Sequence, residues 1–179
     1  MKILVAADPD SPQKGHLEWP GNGLLSRTVA CALGRSGITR NKKEGDGATP
    51  AGHFPLLRVL YRPDRIPAPK TGLPVFPIGP DDGWCDDPAH GAYNQPVSLP
   101  FPASHEQLWR EDPVYDVIVV LDCNMNPAIP GKGSAIFLHV AREGLAPTAG
   151  CVALALPDLL ALLETCAPGD QMEIRPACF

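Results

Sequence analysis

His139 and Cys151 are the residues whose types and spacing suit nucleophilic chemistry. The histidine sits near the end of the apolar run Ser134-Ala-Ile-Phe-Leu-His-Val140, and the cysteine stands directly behind Gly150 in Thr148-Ala-Gly-Cys-Val152. A thiol needs a base to become a strong nucleophile near neutral pH, and an imidazole on a neighbouring strand can supply one. The glycine lets the chain turn sharply, so that the amides of Gly150 and Cys151 can point at an oxyanion. Alone, Cys151 reads as a small core residue and His139 as a core histidine. Together they predict a cysteine acyl-transfer site.

Other constellations carry less. His16, His53, His90 and His105 share no metal-ligand spacing, so no metal site is expected. Cys31, Cys85, Cys123, Cys151, Cys166 and Cys178 are too scattered for a zinc ribbon or a CxxC redox pair, and apart from Cys151 they read as buried small residues. Gly131-Lys-Gly133 lacks the sequel of a phosphate loop. Trp84, Asp86 and Tyr93 are candidates to line a sugar-peptide cleft, with a solvated turn as the competing view. Arg142, just past the histidine strand, is a candidate substrate contact or an exposed charge. Lys42-Lys-Glu44 reads as a hydrophilic turn.

These residues need strands to hold them. Lys2–Ala6 is a β-branched apolar strand, with Gly15–Trp19 as its partner after a Pro-Gln-Lys-Gly turn. Leu25–Leu33 is ambiguous by period. Phe54–Tyr61, Ala135–Val140 and Gln171–Arg175 read as strands, and the continuous run Tyr115–Leu121 as a central strand buried on both faces. Pro157–Thr165 predicts a helix with proline in its first turn, and Ser104–Trp109 a short capped helix. The expectation is a mainly β single domain over residues 1–179, with one good helix near its end.

Composition narrows the partners. Proline, at 22 of 179 residues, is concentrated between residues 63 and 102, which predicts a stiff irregular excursion at the surface or the rim of a cleft. A net charge of −5 without a basic cluster argues against nucleic acid. No window approaches the apolar length of a membrane span, and the N-terminal apolar run is too short for a signal h-region.

Two blocks resemble the L,D-transpeptidase catalytic domain family (YkuD-like), which remodels bacterial peptidoglycan. Gly47-Ala-Thr-Pro-Ala-Gly-His-Phe54 looks like its Thr-Pro-x-Gly-x-Phe pattern, and His139 through Val152 looks like its His…Ser/Thr-x-Gly-Cys signature. The stretch around Gly83-Trp-Cys-Asp-Asp and Tyr93-Asn94 is similar to a proline-rich branch. The resemblance implies a β-sandwich of mixed sheets with one or two helices, no cofactor, and peptidoglycan stem peptides and glycan as partners of a monomer. It implies Cys151 as nucleophile, His139 as general base, the Val140 carbonyl as the group that orients the imidazole, and Gly150 at the oxyanion. Thr148, Trp84, Asp86, Tyr93 and Arg142 are the expected substrate contacts.

Many members carry histidine before the Gly-Cys pair and arginine or asparagine two residues after the cysteine; Ala149 and Ala153 stand here. The lost charge favours a non-standard cross-link, joining the first residue of one stem to the third of another. An L,D-carboxypeptidase with the same site, or a catalytically inert wall-binding module, are the rival readings. The implied substrate places the protein in the periplasm or at the wall, although no export signal is visible.

Overall fold

A computed structural model describes residues 1–21 and 26–176, so Leu25 and Cys178 lie outside the described residues. Strands β1 (Lys2–Asp8), β2 (Ser11–Pro20) and β3 (Ser26–Ala32) form an antiparallel meander, with Ala7 opposite Gly15 and Leu17 opposite Val29. In β2 the buried residues Gly15, Leu17 and Trp19 alternate with exposed ones, the period of a strand with one face in a core. Of the segment with an ambiguous period, Ser26–Ala32 is a strand.

Short strands β4 (Ile38–Thr39) and β5 (Thr49–Pro50) pair in parallel, and the long β6 (Gly52–Tyr61) follows. Next come β7 (Val75–Pro77), β8 (Asp82–Cys85), β9 (Pro96–Ser98) and β10 (His105–Gln107). Then β11 (Val117–Leu121), β12 (Phe137–Val140), β13 (Val152–Leu154), helix α1 (Leu156–Leu163) and β14 (Gln171–Arg175) complete the chain.

The main sheet runs β11-β12-β13-β3-β2-β1-β14-β6-β7, and β11 also pairs with β6, so the sheet closes on itself. β11 is the hinge between two cores, which explains its unbroken apolar sequence. Val117, Val119 and Leu121 point into the larger core with Ile3, Val5 and Leu138, where α1 adds Leu159, Leu162 and Leu163. Ile118 and Val120 point the other way, into a second core with Trp84, Leu108, Tyr115, Phe137 and Cys151. There the separate sheet β10-β8-β9 covers them, so two sheets sandwich this layer.

Ser104–Trp109 does not form the predicted helix. His105 pairs with Cys85 and Gln107 with Gly83, because six residues cannot repay helix nucleation, whereas a waiting strand edge satisfies their backbone directly. The proline-rich excursion holds β7, β8 and β9 and no helix. Among the described residues, no helix is long and apolar enough to cross a membrane.

Candidate active site

Side-chain alternation along β12 and β13 sets the site. Leu138 lies opposite Val152 in this parallel pair, and both enter the larger core together with Val140 and Leu154. Residues one step away must face the other side. Phe137 and Cys151 therefore point into the second layer, and so does His139, whose ring meets Tyr115 edge-on at 5.5 Å. Cys151 and His139 line one cleft of about 520 Å³.

The imidazole is 6% exposed, and its Nδ1 bonds the Val140 carbonyl at 2.9 Å. That oxygen can only accept, so Nδ1 carries the proton and Nε2 keeps its lone pair. Burial holds the His139 pKa down at about 4, against a smaller upward pull from the Val140 carbonyl. The ring is neutral and able to take a proton.

The Cys151 thiol donates to the Ala135 carbonyl at 3.2 Å, and its sulfur accepts from the Phe137 N–H at 3.4 Å; the imidazole is not among its partners. Burial, then the nearby Glu106 carboxyl, push the thiol up to about 12. Ala135 adopts a left-handed φ of 50°, and its N–H donates to Asn94 Oδ1 at 3.0 Å. Asn94, 1% exposed, also accepts from the Trp84 indole at 3.0 Å and donates to the carbonyls of Cys123 (3.0 Å) and Asn124 (2.7 Å).

The turn before the cysteine is held from two sides. Thr148 Oγ1 donates to the Cys151 carbonyl at 2.7 Å and accepts from the Gly150 N–H at 3.1 Å. That amide is engaged locally, where the sequence suggested a donor free for an oxyanion. Gly150 has φ +140°, and a Cβ there would lie 2.9 Å from the Ala48 carbonyl, so glycine is required. Thr49, fully buried, accepts from the Gly34 N–H at 2.8 Å and reaches the Cys151 carbonyl at 3.4 Å. The Thr-Pro block thus braces the nucleophile turn across 102 residues of sequence.

The predicted substrate contacts divide. Asp86, Arg142 and Thr148 line the cleft, with the Arg142 side chain half exposed at its mouth, 3.9 Å from Asp112. Trp84 and Tyr93 do not. Trp84 is fully buried, edge-on to Phe137, and Tyr93 is 4% exposed, bonding Glu44 and receiving the Gly133 N–H at 3.1 Å. Trp84 packs into the second core from β8, and Tyr93 is buried in the loop between β8 and β9.

Several lining residues escaped the sequence reading. Glu106 accepts from the Tyr115 hydroxyl, and burial raises its carboxyl, with the Asp86 charge adding to the rise against that bond's downward pull. Lys42 and Glu44 are not a free hydrophilic turn. Glu44 accepts from Ser134 at 2.8 Å as well as from Tyr93, and Lys42 reaches into the cleft wall. The sequence holds no local signal for these two; only the Thr-Pro block hinted that this region approaches the cysteine.

Among the described residues Cys31, Cys85, Cys123, Cys151 and Cys166 are all free and buried. One solved structure similar to this chain is Mycobacterium tuberculosis L,D-transpeptidase 1, at 14% identity and a TM-score of 0.39. The match covers 98% of this chain, which spans 62% of that one. No curated protein matches. The family model of the L,D-transpeptidase catalytic domain (YkuD) matches residues 7–174, nearly the whole chain. The chain belongs to the L,D-transpeptidase catalytic domain family.

Proposed function

We propose that this protein is a cysteine L,D-transpeptidase that cross-links peptidoglycan stem peptides at the wall. One observation carries the reading: Cys151 and His139 line the same cleft from adjacent strands, with Nδ1 committed to Val140 so that Nε2 is left as the base. Acylation begins when the thiol leaves the Ala135 carbonyl for Nε2. The sulfur then bonds the carbonyl carbon of the L-centre, the amide C–N bond breaks, and the proton held by His139 goes to the departing D-residue's amine. An amine of a second stem next attacks the thioester. Its C–N bond forms, the C–S bond breaks, and its proton returns through His139 to the sulfur.

A missing charge bears on the acceptor linkage. Ala153 is fully buried opposite His139, so no arginine two residues after the nucleophile grips a stem carboxylate. This supports a first-to-third cross-link. Purified enzyme with donor muropeptide tests the whole reading: free D-residue with dimers is expected, and mass-spectrometric sequencing assigns their linkage. D-residue alone would make the protein a carboxypeptidase, and neither product would make it a wall-binding module.

A further inference from the structure

Lys42 enters the cleft wall along a path that two glycines leave open. A Cβ on Gly133 would lie 2.9 Å from its Cε and 3.0 Å from its Cγ, and a Cβ on Gly150 would lie 3.3 Å from its Nζ. The side chain is 10% exposed, and Nζ bonds Asp46 Oδ1 at 2.5 Å. Asp46 is itself fixed, accepting from the amides of Ala48 (2.9 Å) and Lys43 (2.8 Å). Although burial pushes its carboxyl up, the bonds from Lys42 and those amides hold it below the usual range. Asp46 takes one ammonium N–H; the other two have no partner among the described residues.

An ammonium led this far inward, anchored, and ended beside the glycine that precedes the nucleophile has a narrow range of uses. We propose that Lys42 is the cation of the nucleophile's site, its ammonium favouring the thiolate of Cys151 and the oxyanion that grows from it. This rests on Cys151 being the nucleophile. The surrounding charges leave that task open. Glu106, Glu44 and Asp86 line the cleft and oppose a thiolate, and His139 is held neutral by burial. Of the arginines in the lining, Arg110 is tied to Asp112 at 2.7 Å and Arg142 faces the same carboxylate. Arg35 is exposed, lying across Gly47. The Cys123 thiol, raised to about 12 chiefly by burial, is also pulled down by the Lys42 charge.

Iodoacetamide alkylation of Cys151, followed by intact mass and peptide mapping between about pH 6.5 and 9, reads the thiolate directly. Below the thiol pKa the rate rises about tenfold per pH unit. Lys42→Met is expected to displace that line upward by about 1–2 pH units, a roughly 10- to 100-fold slower reaction at fixed pH. Lys42→Arg keeps the charge and should stay within about threefold of wild type. The double variant Lys42→Gln/Asp46→Asn keeps a hydrogen bond without either charge, and should be slowed like Lys42→Met even if that variant folds poorly. Wild-type rates in the folded charge-less variants, or an Arg variant as slow as Met, would overturn the proposal. The probe needs no stem peptide, so inactivity on muropeptide would undo the transpeptidase reading and leave standing the effect of Lys42 on the Cys151 thiolate.

Discussion

Replacing Asn94 by alanine tests how the thiol is held in place. The side chain is 1% exposed and makes four hydrogen bonds, to Trp84, Ala135, Cys123 and Asn124. Its orientation is forced, because the first two partners are donors and the last two carbonyls. Four bonds at a net of about 1 kcal/mol each give ~4 kcal/mol. Asn94 also has φ 58°, which alanine adopts at a further cost of about 1 kcal/mol. The expected loss is ~5 kcal/mol, a large part of the 5–15 kcal/mol usual for a domain. At roughly 2–4 °C per kcal/mol for a chain of this size, the melting temperature should fall by about 10–20 °C. Urea unfolding followed by tryptophan emission measures this well, since Trp84 loses its partner in the same step. Asn94→Asp keeps both acceptor bonds but turns an oxygen toward two carbonyls, and should be no better than alanine. A loss below about 1 kcal/mol in Asn94→Ala would refute the idea that this amide organises the layer under the nucleophile.

Cys151→Ser should abolish dimer formation and acylation by carbapenems, a response typical of the family; a mass adduct at Cys31 or Cys85 would relocate the site. His139 shapes acid stability. Its folded pKa of about 4 lies below the ordinary 6.5, so the unfolded chain binds the proton first and stability declines as pH falls from about 6.5 to 4, by about 3 kcal/mol. His139→Gln should flatten that limb of a pH-resolved denaturation series. On the alkaline side, burial lifts Cys31, Cys123, Cys151 and Cys166 from 9.0 to about 12 each. Their contribution is intact below pH 9.0 and drains away as pH rises toward 12, so melting temperature should drop steeply above about pH 9. Gly150→Ala sets a methyl against the Ala48 carbonyl in a strained conformation, and should cost about 2–4 kcal/mol together with most acylation. An active, stable variant would show that the turn has room.

The strands were legible where a two-residue period or an unbroken apolar run reflects one buried face or two, as in β2 and β11. That Cys151 and His139 share one cleft was legible because glycine, cysteine and a strand-borne histidine fall within one short stretch. What escaped was set by long-range pairing. Ser104–Trp109 has local helix signals, yet the edge of β8 captures it. Trp84 and Tyr93 have the chemistry of a binding surface, but the turn of the small sheet buries them. Lys42 looks like any surface lysine until Gly133 and Gly150, about a hundred residues later, open a passage for it.

The three-stranded sheet touches the closed one through side chains across the second core, and no ladder joins the two. Asp86, Glu106 and Gln107 reach the rim from that cover or its edge, whereas sulfur and imidazole hang from the other body. The reactive pair and part of the rim therefore sit on different sheets, tied together through Asn94. A cassette spanning β8 to β10 carries Asn94 and Glu106 with it, so exchanging that part of the rim also exchanges the amide that fixes Ala135, the thiol's acceptor, and the carboxyl that faces the sulfur.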